Sequence, residues 1–308
     1  MDTVRVMLPV VLMLAMGFIF KTTGFISEHG IDDIKKYITT IALPVTIFHA
    51  MGIARLNSDT AYIVVAMFLV LTIAMLVGFL LRRFIPEPYS NYLPFLITVF
   101  EGGMFAYPLY QNLCGEDKLV YVVIVDIAGC IFGFGFYYGI LALVDQKTKF
   151  SFKSLGMTAV KSPTFLAVVL GLLCNVSGLM NILLESPVGS TYVAIKDIIV
   201  APLTAMILIC VGYTLRIDRE LIVVCLKTII IRVLTMVLLG FAVIKLLKIT
   251  PDNRYMLAAF LVYFVCTPTF SLAGFVRNKD AAQYCSMTTS MYVFITIIGY
   301  AIIASVLF

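Results

Sequence analysis

The chain has 308 residues, of which 62% are hydrophobic and 13% charged, with a mean hydropathy of +1.06; ordinary soluble domains are roughly 45–50% apolar and about 25% charged. Runs of about 20 apolar residues, each enough to cross a hydrocarbon core of roughly 30 Å as a helix, recur along almost the whole length, which excludes water as the main solvent and leaves no room for a soluble domain. The net charge of +5 does not point to nucleic acid, because the Lys and Arg residues sit in short connections between apolar runs, the pattern that orients membrane spans.

The first apolar run, Val4 to Phe20, carries Arg5 at its start like a signal peptide, but Lys21, Thr22 and Thr23 follow it instead of a small-residue cleavage site. It reads as a retained first span. Ten spans are predicted in all, at 4–22, 34–54, 61–85, 92–113, 119–144, 163–183, 193–215, 220–247, 255–276 and 282–307. The one sizeable polar connection, Asp145 to Ser162, divides them into five and five. The expected organisation is a repeat over 1–144, a connecting loop over 145–162 and a second repeat over 163–308.

Internal similarity supports that division. Pro9, Gly17 and Gly24 recur at one constant spacing as Pro163, Gly171 and Gly178, in the strings PVVLMLAMGFIFKTTGF and PTFLAVVLGLLCNVSGL. Pro44 then matches Pro202, and Pro108 matches Pro268, with the spacing drifting by only a few residues. An odd number of spans per half makes the second half enter from the opposite face, giving inverted repeats. The predicted fold is therefore an all-α integral membrane protein of ten transmembrane helices. Thirteen Lys and Arg residues fall on the side of the central loop and seven on the other, which places both termini outside and the loop in the cytoplasm.

Span 4, NYLPFLITVFEGGMFAYPLYQNL, carries Glu101, Gly102, Gly103 and Pro108 near its middle. Each glycine costs a helix about 1 kcal/mol relative to Ala, and a proline removes a backbone donor and clashes with the preceding turn. Span 9, YMLAAFLVYFVCTPTFSLAGFV, places Pro268 between Thr267 and Thr269. Simple proline kinks are one reading. The other, favoured by the match between the halves, is a pair of broken helices, which marks a transporter's binding site. If Pro108 and Pro268 each open a second half-helix, two positively polarised N-termini converge near the midplane and favour an anion.

Glu101 is the sharpest single residue, since an acidic side chain near mid-membrane costs at least ~2.5 kcal/mol and is functional by default. At the C-terminal end of a first half-helix it would sit at the negative dipole pole and favour a proton or a cation, which makes it the candidate coupling residue, with Asp126 of span 5 as a second. Asp126 and Arg232 of span 8 are further intramembrane charges, and a structural ion pair between them and contact with substrate both stay open. Lys227 lies nearer a span end and snorkels, and His49 reads as a buried, hydrogen-bonded histidine, with a proton relay as the alternative. The seven cysteines form no CxxC and have no His at ligand spacing, so they read as small hydrophobes and no metal is expected.

Together PVVLMLAMGF in span 1, LPVTIFHAM around Pro44, GGMFAYPL ending at Leu109, APLTAMILICVGYTL in span 7 and TPTFSLAGF in span 9 resemble the auxin efflux carrier family, in the same broad structural group as bile-acid sodium symporters. The likeness covers nearly the whole chain. It implies spans 4 and 9 crossing at their prolines, with Gly103, Pro108 and Pro268 as crossing residues. Spans 1, 2, 6 and 7 would form a scaffold, shaped by Pro44 and Pro202, against which the remaining bundle moves as an elevator carrying organic anions. Where the family's crossing motif opens with Asn this chain has Glu101, and Ala106 replaces a Gly. Glu101 is then protonated, or binds a cation, or the solute is not a simple anion.

The expected function is secondary transport of a small organic anion, carboxylate-like, through Glu101, Gly102, Gly103, Pro108, Thr267, Pro268 and Thr269, with Na+ or H+ as coupling ion and no other cofactor. No P-loop, HExxH or GxSxG is present, so neither a nucleotide-driven pump nor an enzyme is expected. A carrier of neutral or cationic solutes, a channel and a ligand-binding sensor without flux are the alternatives. Monomer and homodimer stay open.

Overall fold

The computed structural model describes residues 3–54, 58–146, 160, 162–215 and 218–308. Among them every regular element is helical. In chain order the α-helical segments are α1 (Thr3–Thr23), α2 (Glu28–Tyr37), α3 (Leu43–Gly52), α4 (Ser58–Leu81), α5 (Leu93–Leu96), α6 (Tyr107–Cys114), α7 (Leu119–Phe132), α8 (Tyr138–Gln146), α9 (Pro163–Val176), α10 (Leu179–Glu185), α11 (Gly189–Val200), α12 (Leu203–Thr214), α13 (Ile222–Leu246), α14 (Arg254–Val265), α15 (Leu272–Phe275) and α16 (Lys279–Leu307). The uninterrupted ones follow from composition: α4 and α13 are mostly apolar and contain no proline. Helix α16 is opened by Asn278, whose side chain accepts the Ala281 N–H at 3.0 Å. Helix α9 opens with Pro163 in its first turn, under a Ser162 hydroxyl that accepts the Phe165 N–H.

Against the ten spans that the sequence predicts, five stretches of the described residues are long and apolar enough to cross a membrane unbroken: Asp59–Phe84, Glu116–Asp145, Gly189–Thr214, Arg219–Leu246 and Lys279–Leu307. The pair Pro163–Val176 and Leu179–Glu185, bent by 78°, makes a sixth if taken together. The remaining predicted spans are short or divided. Met7–Thr23 is apolar but shorter, residues 28–52 pass through a π-helical turn at Ile38–Ala42, and 93–114 and 254–275 are helical only in pieces. The connection from 145 to 162 lies outside the described residues except for Asp145, Gln146, Val160 and Ser162, and with it Lys147, Lys149, Lys153 and Lys161; Arg55 and Arg216 lie outside them as well.

Polarity runs opposite to that of a water-soluble protein. Tyr62, Val65, Leu69, Ile73, Leu76 and Leu80 form an exposed stripe on α4, and Ile230, Leu234, Val237 and Phe241 do so on α13. Thr98, Arg232, Thr267 and Thr296 are fully buried. An apolar exterior of this extent suits lipid.

Two helix pairings dominate the packing, α1 along α12 and α9 along α3. They bring the sequence-matched glycines into corresponding places. A Cβ added at Gly17 of α1 would lie 2.1 Å from the Ile209 carbonyl oxygen, and one at Gly171 of α9 would lie 2.8 Å from the Phe48 carbonyl oxygen. Small residues let membrane helices approach backbone to backbone, where dispersion rather than water exclusion holds them. Gly24 and Gly178, which follow α1 and α9, share a left-handed backbone with φ of 69° and 75°.

Candidate functional site

Two interrupted segments meet inside the bundle. The first leaves helical geometry after α5 and resumes at Gly102 as a π-helical turn, Gly102–Ala106, that runs on into α6. The second leaves it at Cys266, where α14 ends in an extended residue, and resumes at α15. Thr267 precedes a proline, which disfavours helical geometry there and frees its carbonyl. That carbonyl accepts the Glu101 N–H at 2.9 Å, and Phe100 and Pro268 form an isolated antiparallel bridge. The two breaks therefore cross.

The crossing differs from expectation at three residues, the first of them Pro268, which sits in the bridge to Phe100 and not at the start of α15, which begins only at Leu272. Pro108 does not open a half-helix: it lies in the first turn of α6, already preceded by the turn beginning at Gly102. The π-helical register there accommodates the proline's missing donor without a break. Glu101 is not at the C-terminal end of the first half-helix either. It is the N-cap of the resumed helix, where its carboxylate accepts the Met104 N–H at 3.3 Å. From the other break it accepts the Phe270 N–H at 2.7 Å and the Thr269 hydroxyl at 3.1 Å. The donors expected to attract an anion are thus met first by the chain's own carboxylate, a favourable place for one.

Asp126 of α7 lies against the same turn, so close that a Cβ on Gly102 would come within 2.2 Å of its Oδ2. Its oxygens accept the hydroxyls of Tyr107 at 2.7 Å and Tyr263 at 2.5 Å. Neither tyrosine stands out in the sequence, since both look like ordinary apolar-span aromatics. Asp126 and Arg232 do not pair. The Arg232 guanidinium instead donates to the carbonyls of Leu96 at 2.8 Å and Cys266 at 3.0 Å, the ends of the two first half-helices, and lies over the rings of Phe100 and Tyr292. A cation suits the negative pole of a helix as an anion suits the positive one. Among the described residues, no ion pair reaches Glu101 or Asp126.

A cavity of about 220 Å³ opens beside the crossing, and Glu101, Gly102, Gly103, Asp126 and Thr269 line it. Thr267, Pro268 and Pro108 do not; they are buried behind it. Tyr138 and Ser271, whose hydroxyls are 2.7 Å apart, also line it and were missed by sequence reasoning. A separate cavity of about 370 Å³ is lined by Thr46, His49, Glu116 and Lys196. There the Lys196 ammonium bonds Glu116 at 2.6 Å and Asp197 at 2.5 Å, and His49 Nδ1 lies 3.2 Å from the Tyr192 hydroxyl, so the histidine is hydrogen-bonded but half-buried and not fully buried as expected.

The chain belongs to the auxin efflux carrier family: the family model described as membrane transport protein matches residues 3–308. It is a multi-pass membrane protein of a transporter family. No curated protein matches it.

Proposed function

We propose that the chain is a secondary carrier for a small organic anion of carboxylate type, which crosses together with a proton or Na+ taken up by Glu101 and Asp126. One observation carries this reading: two carboxylates without a basic partner among the described residues share a cavity with the crossing of two broken segments. Buried carboxylates in a membrane protein are costly unless neutralised, and a mobile cation or proton that neutralises them is a coupling ion. The hydroxyls of Tyr107, Tyr263 and Thr269 give such a site donors that hold the acids in place whether or not the ion is present.

The same proposal takes the ten spans as two inverted repeats, 1–144 and 163–308, moving as an elevator against a scaffold of spans 1, 2, 6 and 7. Its support is the reciprocal packing of α1 on α12 and α9 on α3, with Gly17 and Gly171 in corresponding contacts. The distribution of Lys and Arg supports extracytoplasmic termini.

The test is uptake and counterflow of radiolabelled mono- and dicarboxylates in proteoliposomes, under imposed proton and sodium gradients, for the native protein and Glu101→Gln. Gradient-driven accumulation that Glu101→Gln abolishes, while exchange persists, is the expected result. Accumulation that survives the substitution unchanged removes Glu101 from coupling. A folded native protein that moves no carboxylate under either gradient ends the anion reading.

A further inference from the structure

Three cavities share lining residues in series, the last of them at the crossing. The outermost, about 760 Å³, is lined by Lys21, Lys279, Asp218, Gln283 and Ser286. Ser286 also lines the next, about 280 Å³, together with Lys35, Thr39, Thr214, Thr289 and Ser290. Thr39, Met104, Phe270 and Ser271 then belong both to this middle cavity and to the one that holds Glu101 and Asp126. The charge balance changes along the way, from two lysines and one carboxylate at the outer end to two carboxylates at the inner.

In the middle cavity most hydroxyls are already committed to their own helices. Thr39 donates to the Lys35 carbonyl, Thr214 to that of Val211 and Thr289 to that of Cys285. The Ser286 hydroxyl has no hydrogen-bond partner among the described residues. The Lys35 ammonium has one carboxylate nearby, the exposed Asp32 at 3.4 Å. Exposed pairs of that kind are worth little, so the ammonium can turn to an incoming anion at small cost. The outer acid is more firmly held, with Asp218 accepting the Gln283 amide at 2.6 Å and the Glu220 N–H at 3.0 Å.

We propose that Lys35 and Ser286 form the subsite that receives the carboxylate of a small organic acid before it reaches the crossing. The assignment rests on the carrier reading above and gives its solute an entry contact. An ammonium and a hydroxyl offer a charge-assisted hydrogen bond and a second donor to one carboxylate, and Lys21 and Lys279 raise the local concentration of anions at the mouth. The ionised acids at the inner end repel the solute until a proton or cation neutralises them, so the order of loading is ion first, anion second.

The experiment is concentration-dependent counterflow of radiolabelled lactate, succinate and malate in proteoliposomes for the native protein, Lys35→Gln, Lys35→Arg, Ser286→Ala and Lys36→Gln, each checked for native elution in size exclusion. Lys36 is exposed and outside the cavity linings, so Lys36→Gln removes the same unit of charge one residue away. The expected result is a KM raised about tenfold by Lys35→Gln, less by Ser286→Ala, with maximal rate preserved, and near-native KM in Lys35→Arg and Lys36→Gln. Carboxylate flux with an unmoved KM in Lys35→Gln, or an equal rise in Lys36→Gln, overturns the subsite and leaves the carrier reading standing. Absence of all carboxylate flux in the native protein overturns both.

Discussion

Arg232 Nη1 donates to the carbonyl of Leu96 at 2.8 Å, while its Nη2 donates to the carbonyl of Cys266 at 3.0 Å. One buried guanidinium thereby closes the ends of both first half-helices, and Glu101 takes donors from both breaks on their far sides. The crossing is held by opposite charges at opposite helix poles rather than by an ion pair.

Arg232→Met removes two charge-assisted bonds and strands two buried carbonyls, with an expected loss of about 3 kcal/mol. Arg232→Lys recovers only part of it, because a point-like ammonium lacks the planar fork that spans two acceptors. Heating in detergent with a thiol-reactive fluorophore reads this directly, since Cys210, Cys225, Cys266 and Cys285 are buried and free. Unfolding of Arg232→Met at the native temperature would show that the guanidinium does not hold the crossing.

Gly17→Ala and Gly171→Ala each place a methyl against a facing backbone carbonyl, and each is expected to destabilise by about 1–3 kcal/mol. Gly135→Ala, with nothing within 4 Å of the added carbon, is the control and should be neutral or slightly stabilising. The same thermal assay compares them. Equal losses at 17 and 171 are what equivalent repeat positions require; a loss at only one separates them.

Lys196 and Glu116 are joined at 2.6 Å, with the lysine side chain almost fully buried and the glutamate half exposed. A double-mutant cycle of Lys196→Met and Glu116→Gln should give a coupling of about 1 kcal/mol, limited by solvent at the glutamate and by Asp197, which holds the same ammonium. A coupling near zero would leave Asp197 as the lysine's effective partner.

Much of the site was legible in the sequence because membrane burial makes exceptions conspicuous. Glu101, Asp126 and Arg232 stand out as charges among apolar residues, and the paired glycines and Pro268 mark the two segments that break, although Gly102 and Gly103 themselves lie in the resumed helix. Tyr107, Tyr263 and Ser286 were not legible, because a tyrosine or serine in a span carries no mark of what its hydroxyl faces. The first break also lies elsewhere than the residue types suggest. Pro108 is a helix breaker by type, yet the break lies over residues 97–101, where the crossing backbone of Thr267 supplies a bond that helix continuation cannot.

By itself the sequence determined the solvent, the helical class and the family, since apolar run length and the order of proline and glycine landmarks are local properties of the chain. Which charge meets which pole was decided only in three dimensions. Glu101 and Thr267 lie far apart in sequence, and whether a carboxylate caps one helix or ends another depends on where the second segment crosses. A hydrogen bond between two breaks belongs to neither of them alone, so no reading of either segment could have placed it.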